Sequence, residues 1–307
     1  MICFQHLITV YNIFSCTVTC FLGFARYNKC EIIVLLKVNV MNLLITGAAS
    51  GIGNAVAEAL TSRGHKVYGV DIAPARNRDN FCGFLADITD ASSLERVSGY
   101  LSDHAVVLDG IIHIAGIHMM ASLVESDYER MKKTVEVNLC GAMLVNRIFH
   151  RHLAKNGRIV IVTSEVASFD PMPFNGLYNV TKTALDSYSQ ALRQELNLIG
   201  QRVITVRPGA VQTPLCSGSV KATETLAETT VLYQKQAKNF SRLAARFMGR
   251  PIAPEALAAL ICKAVTAKHP RLIYKKHRNP GLVLLNLLPK RWQCGVIKWL
   301  LKMSFCT

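Results

Sequence analysis

A tyrosine and a lysine one helical turn apart, Tyr178 and Lys182, are the residues of this chain best placed to do chemistry. A free tyrosine has a pKa of about 10, which is too high for ready proton exchange near neutral pH. An ammonium four residues later on the same helix face would favour the phenolate. The pair therefore predicts a general acid/base for an alcohol and its ketone. The spacing alone is a weak signal, because a surface tyrosine and lysine can share a face by chance.

A glycine-rich turn near residue 50 gives this pair a context. The apolar run 41–45 predicts a buried strand, and an alanine-rich helical pattern begins at Asn54. A glycine turn between a strand and a helix is the setting of a dinucleotide-binding loop. Its glycines let backbone N–H groups approach a pyrophosphate at the helix N-terminus. We expect cofactor contacts here from Thr46, Gly47, Ser50, Gly51, Ile52 and Gly53.

An acidic residue ends the next predicted strand. Asp71 closes the run 66–70 and lies 18 residues after Gly53, near the spacing expected of the acid that binds adenine-ribose hydroxyls. Its carboxylate would repel a 2′-phosphate, so the sequence favours NAD over NADP. Arg76 and Arg78 follow in the next loop and could soften that preference, although a solvated loop is the simpler interpretation.

With Ser164 added, the chain resembles the short-chain dehydrogenase/reductase family, in the branch with a Thr-Gly-x-x-x-Gly-x-Gly loop. The match runs from about 41 to about 214. The resemblance implies a hydride-transfer enzyme in which Asn138, Ser164, Tyr178 and Lys182 are catalytic. It also implies that further residues in the family's motifs contact the cofactor. These are Asp87, Ala115, Gly116, Tyr178, Lys182, Pro208, Gly209, Val211 and Thr213.

The resemblance also implies a role for each catalytic residue. Tyr178 would exchange the hydroxyl proton, while Lys182 would lower its pKa and hold the nicotinamide ribose. Ser164 would hydrogen-bond the substrate oxygen and stabilise its developing charge. Asn138 would hold a water that links Lys182 to solvent. The cofactor would carry the hydride chemistry, and the protein would supply position and electrostatics.

One motif departs from the family's pattern. Where the family usually has Asn-Asn-Ala-Gly, this chain has His113-Ile114-Ala115-Gly116. The Ala-Gly pair that lets the cofactor pass closely is kept, whereas the amide side chains are lost. We expect His113 to be a packed strand residue and not a catalytic base, because Tyr178 already fills that role.

Alternating strands and helices over 41–275 predict an α/β fold, with a doubly wound and mostly parallel sheet of the Rossmann type. Right-handed crossovers would bring the loops after the first, fourth and fifth strands to one carboxyl edge, where ligands bind. No Pro/Gly/Ser-rich linker divides the chain, so we expect one domain with extensions at 1–40 and 276–307. The predicted strands are 41–46, 66–71, 82–86, 106–114, 157–163, 202–207 and 271–274.

Ten cysteines are scattered along the chain, without Cys-x-x-Cys spacing or a metal-type cluster. This usage is typical of a reducing compartment, and we predict no metal site. The protein is therefore expected in the cytoplasm or peripherally on a membrane. Expected partners are a small alcohol or ketone substrate and further copies of the chain, as a dimer or tetramer.

The first 25 residues contain no Lys, Arg, Asp or Glu and are mainly apolar. Three interpretations remain open for residues 1–40. They could form a membrane anchor, since about 20 apolar residues span a bilayer, although several polar residues dilute that signal. They could be an ordered extension that packs on the domain. They could also come from an over-extended reading frame, because Met41 directly precedes the first strand.

Nearly all of the net charge of +15 lies in 235–307, which contain 15 Lys and Arg residues and one acid, Glu255. Near the end of the chain an amphipathic pattern predicts a helix. One face contains Trp292, Val296, Trp299, Leu300 and Met303, and another contains Arg291, Lys298 and Lys302. A basic helix with tryptophans fits the surface of an anionic membrane. The alternative is a helix docked over the substrate pocket or a subunit interface. Nucleic acid is not expected, because no reading motif accompanies the charge.

The substrate is expected to be apolar. Residues 254–289 loosely resemble the tail of steroid- and retinol-type members of the family, which act on lipid-like alcohols. The variable segment 215–249 would cover the substrate. The residues between Ser164 and Tyr178 could line an apolar pocket or simply pack as a loop. They include Phe169, Met172, Pro173 and Phe174.

Two other functions compete with this interpretation. A cofactor-binding scaffold or sensor without turnover would not need the intact Ser164, Tyr178 and Lys182. An epimerase or dehydratase acting on nucleotide sugars would usually carry Gly-x-x-Gly-x-x-Gly, whereas the loop here has Gly-x-x-x-Gly-x-Gly.

Overall fold

A computed structural model of the chain describes residues 40–247 and 251–302, which fall within one compact unit. The expected N-terminal extension, 1–40, lies outside the described residues apart from Val40, so all three interpretations of this extension stay predictions. The described residues contain a sheet of seven strands. They are β1 (Asn42–Thr46), β2 (Lys66–Asp71), β3 (Phe81–Leu85), β4 (Leu108–His113), β5 (Leu153–Val162), β6 (Arg202–Pro208) and β7 (Ile273–Lys276).

Helices connect the strands and cover the sheet. The α-helices are α1 (Gly51–Thr61), α2 (Ala91–Asp103), α3 (Tyr128–Val135), α4 (Gly141–Phe149), α5 (Gly176–Asn197), α6 (Pro214–Thr229), α7 (Gln234–Phe247), α8 (Pro254–Thr266), α9 (Pro280–Leu285) and α10 (Lys290–Lys302). A π-helical turn, Glu136–Cys140, joins α3 to α4, and 3-10 turns occupy His150–His152 and Glu165–Ser168.

The sheet is doubly wound, as predicted. Its strands lie in the order β3-β2-β1-β4-β5-β6-β7, and every neighbouring pair is parallel. Residues 43–45 of β1 are fully buried because both faces of a parallel sheet are covered. The chain leaves β1 towards β2 and β3 and then returns to β4 on the other side. Ligands bind at such a switch point, outside the carboxyl ends of the strands.

Two apolar cores lie on the two faces of the sheet. One packs α1 and α8 against the strands, through residues such as Leu60 and Ile261. The other packs α2, α4 and α5, through residues such as Leu94 and Phe149. All seven predicted strands are present; β2 has the predicted ends, and the other strands differ at one or both ends. The largest shift is at β5, which begins at Leu153 because Leu153 pairs with Leu108 ahead of an irregularity in the ladder.

A buried ion pair fixes α5 against the sheet. The Asp186 carboxylate on α5 accepts hydrogen bonds of 2.8 and 2.6 Å from the Arg207 guanidinium on β6. It also accepts one of 3.2 Å from the Thr163 hydroxyl at the end of β5. Breaking a buried pair leaves a charge without compensation, so this contact resists displacement of the helix. The N-terminal half of the same helix carries the predicted catalytic pair.

The C-terminal helix α10 docks on α7 through a different stripe from the predicted apolar face. Gln293 and Leu301 are buried, Ile297 packs against an apolar cluster, and the Asn239 amide of α7 donates to the Leu301 carbonyl at 2.9 Å. Trp292 and Trp299 are exposed. The helix is therefore docked on the domain, but with both tryptophans outward. Met303 of the predicted face lies outside the described residues.

Within 40–247 and 251–302, none of the helices combines the length and the apolarity needed to cross a membrane.

Candidate active site

The four predicted catalytic side chains lie at the carboxyl edge of β4 and β5. Ser164 follows β5 and caps the 3-10 turn that begins at Glu165. Tyr178 and Lys182 occupy the first two turns of α5. Asn138 lies in the π-helical turn between α3 and α4, and such turns are frequent at functional sites.

Burial controls the protonation of the catalytic pair. It raises the pKa of Tyr178 to about 12, and a hydrogen bond with the Ser164 side chain opposes this shift. The Lys182 Nζ lies 5.8 Å from the centre of the tyrosine ring, and burial lowers the pKa of this lysine to about 8. The expectation of an acidic phenol does not hold for the polypeptide alone, because burial disfavours both charged forms. The phenol is therefore protonated at neutral pH.

Asn138 is held by three hydrogen bonds to two neighbours. Its side chain accepts from the Ile117 amide at 2.8 Å and donates to the Ile117 carbonyl at 2.9 Å and to the Thr181 hydroxyl at 3.1 Å. A Cβ placed on Gly116 would lie 3.1 Å from the Asn138 Oδ1 and 3.4 Å from the Lys182 Nζ. The glycine retained in the altered motif thus allows these two side chains to come together.

His118 is a site residue that the sequence analysis missed. Its ring centre lies 4.4 Å from that of Tyr178, and its Nε2 is 3.0 Å from the Asn175 Oδ1. Burial lowers the pKa of His118, so the imidazole is neutral at pH 7. A signal was present, because His118 comes two residues after the Ala-Gly turn at the carboxyl end of β4. Asn179 was missed as well, and it donates to carbonyls of the loop after Ser164.

His113 is a packed strand residue, as expected. It is buried at the end of β4, with its Nε2 2.8 Å from the Asn146 Oδ1. The Asn146 amide donates in turn to the Tyr188 hydroxyl at 3.0 Å. Burial lowers the pKa of His113 to about 4, so the imidazole is neutral. His113 thus belongs to a buried hydrogen-bond network that joins β4, α4 and α5.

The glycine loop has the shape of a phosphate cradle. Gly47 and Gly51 adopt left-handed conformations, with φ of 74° and 51°. A Cβ on Gly53 would lie 1.8 Å from the Gly47 carbonyl oxygen. Ser50 is the N-cap of α1, yet its side chain makes no capping hydrogen bond. The first N–H groups of α1 are therefore available to donate hydrogen bonds to a pyrophosphate, so these residues fit a dinucleotide.

The two acids predicted to contact the cofactor have different partners. The Asp71 carboxylate accepts from the Ala49 amide of the glycine loop at 2.9 Å and from the Ala73 amide at 3.0 Å. It therefore lies beside the cradle, where the sequence placed it. One Asp87 oxygen accepts from both the backbone and the hydroxyl of Thr89, at 2.8 and 2.7 Å. Asp87 thus stabilises its own turn, and its contact with the cofactor stays a prediction.

The segment 208–213, which is predicted to contact the cofactor, lies against the glycine loop. Pro208 ends β6, and the Gly209 amide donates to the Lys276 carbonyl at 2.8 Å. Val211 is buried, and Thr213 caps α6. The Thr213 methyl carbon lies 3.2 Å from where a Cβ on Gly51 would be. This contact brings the 208–213 segment and the glycine loop to one site.

The loop between Ser164 and Tyr178 packs on the domain. Phe174 is buried in an apolar cluster with Met120, Leu226, Phe240 and Leu301. The Phe169 ring lies under the Arg278 guanidinium, 4.6 Å from the ring centre. Among the described residues, no group of three or more His, Cys, Asp and Glu side chains could hold a metal ion.

Comparison with known proteins decides the family. A family model described as short chain dehydrogenase matches residues 41–224, which is more than half of the chain. The chain belongs to the short-chain dehydrogenase/reductase family. It is accordingly an NAD(P)-dependent dehydrogenase or reductase, and the doubly wound sheet is that of its structural neighbours.

Several family members are similar over much of their length. The chain is 27% identical to a 3-ketodihydrosphingosine reductase of Bacteroides thetaiotaomicron, over 81% of this chain and 92% of the relative. It is 30% identical to an NADPH-dependent 1-acyldihydroxyacetone phosphate reductase of Schizosaccharomyces pombe, over 57% and 61%. A crystal structure of a short-chain dehydrogenase family protein from Francisella tularensis superposes with a TM-score of 0.65 at 24% identity, covering 77% of this chain and 96% of that one. The last likeness supports the fold.

Gly53→Ala is expected to abolish cofactor binding and to lower the free energy of unfolding. The added methyl would lie 1.8 Å from the Gly47 carbonyl oxygen, so the cradle must move. Overpacking of this kind costs about 1–3 kcal/mol. NADH titration and urea denaturation measure the two effects.

Gly99→Ala is the matched control, because Gly99 lies inside α2 with nothing within 4 Å of the added methyl. An alanine in a helix interior stabilises by roughly 0.5–1 kcal/mol relative to glycine. Cofactor binding should be unchanged. If Gly53→Ala bound NADH as the control does, the glycine loop would not be the cradle.

Proposed function

We propose that this enzyme transfers a hydride between NAD(H) and an alcohol or carbonyl group of an apolar, lipid-like molecule such as a steroid or retinoid. The observation that carries the proposal is the meeting of Tyr178, Ser164 and Lys182 at the sheet edge that also holds the glycine loop. Such an arrangement can exchange a proton with a substrate oxygen while stabilising charge on it.

The side chains divide the work of proton transfer. In reduction, the protonated Tyr178 phenol donates its proton to the carbonyl oxygen, and in oxidation the phenolate takes the hydroxyl proton. Ser164 donates a hydrogen bond to the same oxygen and stabilises the charge that develops there. The Lys182 ammonium holds the nicotinamide ribose and favours the phenolate when it forms. The nicotinamide, when bound, supplies or accepts the hydride.

The apolar substrate is supported by the surroundings of the catalytic loop and by the relatives. Phe174, in the loop between Ser164 and Tyr178, packs in an apolar cluster with Met120. Two relatives are named as reductases of 3-ketodihydrosphingosine and of 1-acyldihydroxyacetone phosphate. We therefore propose that this enzyme also acts on a lipid-like keto or hydroxy compound.

Turnover on a substrate panel tests this function. The panel contains steroid, retinoid, fatty and small polar alcohols with their carbonyl partners, each assayed with NAD(H) and NADP(H). We expect the highest kcat/KM with an apolar member. Turnover confined to the small polar compounds would contradict the proposed substrate class, although not the chemistry.

Asp71→Asn is expected to weaken the preference for NAD. The asparagine keeps one acceptor oxygen for the ribose hydroxyls and removes the charge that repels a 2′-phosphate. Two like charges 4 Å apart repel by about 1 kcal/mol in water and more in a partly buried site. The ratio of kcat/KM for NADH to that for NADPH should therefore fall roughly tenfold.

Asp79→Asn is the control, because it removes one acid from the exposed loop that follows. It should leave the ratio unchanged. An Asp71→Asn enzyme with the wild-type ratio, or a wild-type enzyme that prefers NADPH, would show that Asp71 does not select the cofactor. The relative from Schizosaccharomyces pombe is named as NADPH-dependent.

We further propose a homo-oligomer, a dimer or tetramer, that works in a reducing compartment. The family generally binds small molecules and assembles into oligomers. The cysteines of the described residues carry free thiols, as is usual for proteins of the cytoplasm. The compartment proposed is the cytoplasm, either in solution or peripherally on a membrane.

A further inference from the structure

The exposed face of α10 combines two tryptophans with basic side chains. Trp292 and Trp299 are 67% and 59% exposed. They are seven residues apart and so lie on one helix face. Arg291, Lys298 and Lys302 follow a neighbouring stripe, about 90° round the helix from the tryptophans, and all three are exposed. The helix is docked on α7 through its opposite side, so this face takes no part in that contact.

All charged side chains of the surrounding segment, 275–302, are basic. Residues 275–302 contain seven Lys and Arg residues and no Asp or Glu. Two large exposed apolar side chains lie next to α10, Leu284 in the short helix α9 and Leu287 in the turn that follows it. Exposed tryptophan and leucine beside unbalanced positive charge are complementary to an anionic lipid bilayer, whose headgroups attract lysine and arginine while its interface accepts indole rings.

The same segment is attached directly to the catalytic loop. The Asn279 amide donates to the Glu165 carboxylate at 2.6 Å, and Glu165 follows Ser164. The Asp170 amide donates to the Asn286 side chain at 2.7 Å, and the Asp170 carboxylate pairs with Lys290. A surface bound by α10 would therefore lie next to the loop that connects Ser164 with Tyr178.

An apolar cluster continues from the docked side of α10 towards the active site. Leu301 of α10 packs with Phe240 of α7, Leu226 of α6 and Phe174. Phe174 lies four residues before Tyr178 in the chain. Apolar side chains thus connect the helix that carries the exposed tryptophans with the segment that carries the catalytic tyrosine.

We propose that the exposed tryptophan–lysine face of α10 binds the surface of an anionic lipid bilayer and presents the mouth of the active site to that bilayer. A lipid-like alcohol or ketone then enters from the membrane instead of from water. The second part rests on the proposed function, whereas the binding of the bilayer does not.

The two tryptophans make the test specific. The chain contains no others, so its tryptophan fluorescence reports on α10 alone, whatever residues 1–39 do. We would titrate the full chain with vesicles of phosphatidylcholine and with equimolar vesicles of phosphatidylcholine and phosphatidylglycerol. A blue shift with the anionic vesicles, together with quenching by brominated acyl chains, is expected. Unchanged emission with these vesicles would overturn the proposal.

A charge variant distinguishes binding through α10 from binding through the overall positive charge of the chain. Lys298→Gln combined with Lys302→Gln should weaken binding to the anionic vesicles by roughly tenfold or more. Lys290 is left intact because it pairs with Asp170. The control, Lys66→Gln with Arg96→Gln, removes the same charge from exposed sites on β2 and α2 and should bind as the wild type does. Equal weakening in both variants would overturn the assignment to α10.

A second copy of the chain is the competing occupant of this face. In that case the emission would shift to the blue with rising protein concentration in the absence of vesicles, and anionic vesicles would cause no further shift. That outcome overturns the proposal. Because the readout is emission and not turnover, failure of the proposed catalytic function would leave the fluorescence result intact, and the reverse also holds.

Discussion

Tyr178→Phe is expected to lower kcat by about 100- to 10,000-fold, the usual contribution of a general acid/base. The phenylalanine keeps the ring that packs against His118 and removes only the hydroxyl that bonds with Ser164. NADH binding, followed by fluorescence titration, should stay at the wild-type level. Loss of turnover with retained binding is the pattern that distinguishes an enzyme from a cofactor-binding scaffold.

Tyr188→Phe is the matched control for this experiment. Tyr188 lies on the same helix, is partly buried and accepts a hydrogen bond from the Asn146 amide. It takes no part in the proposed chemistry, so its loss should affect stability slightly and turnover hardly at all. Full activity in the Tyr178→Phe enzyme would contradict the mechanism.

Lys182→Met is expected to change activity and stability in opposite directions. Removing the ammonium that we propose to hold the ribose and to favour the phenolate should lower kcat/KM by roughly 100-fold or more. The same ammonium is buried, and burial has lowered its pKa from 10.5 to about 8. The charged lysine therefore lowers the free energy of unfolding by roughly 3 kcal/mol at pH 7, and the methionine variant lacks this destabilisation.

The pH dependence of this stability gain has a definite sign. Between about pH 8 and pH 10.5 the native lysine has lost its proton while the unfolded chain keeps it, so the wild-type free energy of unfolding rises with pH. The advantage of Lys182→Met should shrink by roughly 2 kcal/mol between pH 7 and pH 9.5. Above pH 10 the raised pKa of Tyr178 acts in the opposite sense, so the comparison stops at pH 9.5. Urea denaturation of both proteins measures the difference, and a gap independent of pH would contradict the buried charge.

Local sequence signals predicted the elements that position the site. The run 43–45 is apolar because both faces of its strand are covered, and this burial is visible in sequence as an unbroken apolar stretch. Gly47 and Gly51 occupy left-handed conformations that favour glycine, so the presence of glycine at these positions predicted the loop. Spacing and residue type were sufficient here, since the determinants lie within a few neighbouring residues.

Contacts between distant segments were not predicted. His118 packs on Tyr178 across 60 positions of sequence, and no periodicity relates the two. The low pKa expected for Tyr178 was inferred from the neighbouring lysine. In the structure, burial raises this pKa instead, and the burial depends on how the whole carboxyl edge of the sheet is packed. Desolvation is a tertiary property, so the helical spacing of two residues does not contain it.

The face of α10 shows the same limit. Its sequence has two apolar stripes, and periodicity does not say which one docks. The stripe with Ile297 and Leu301 packs on α7, while the stripe with Trp292 and Trp299 stays outward. The choice depends on the shape of α7, including the Asn239 amide that binds the Leu301 carbonyl.

Transfer of deuterium from cofactor to substrate tests the central claim most directly. Wild-type enzyme would be incubated with NADH deuterated at the transferable C4 position and with the best carbonyl compound of the panel, and the alcohol product analysed by mass spectrometry. We predict one deuterium at the carbinol carbon for the wild type and for Tyr188→Phe, and almost no product for Tyr178→Phe. NADH that binds without any labelled alcohol being formed across the whole panel would contradict the account.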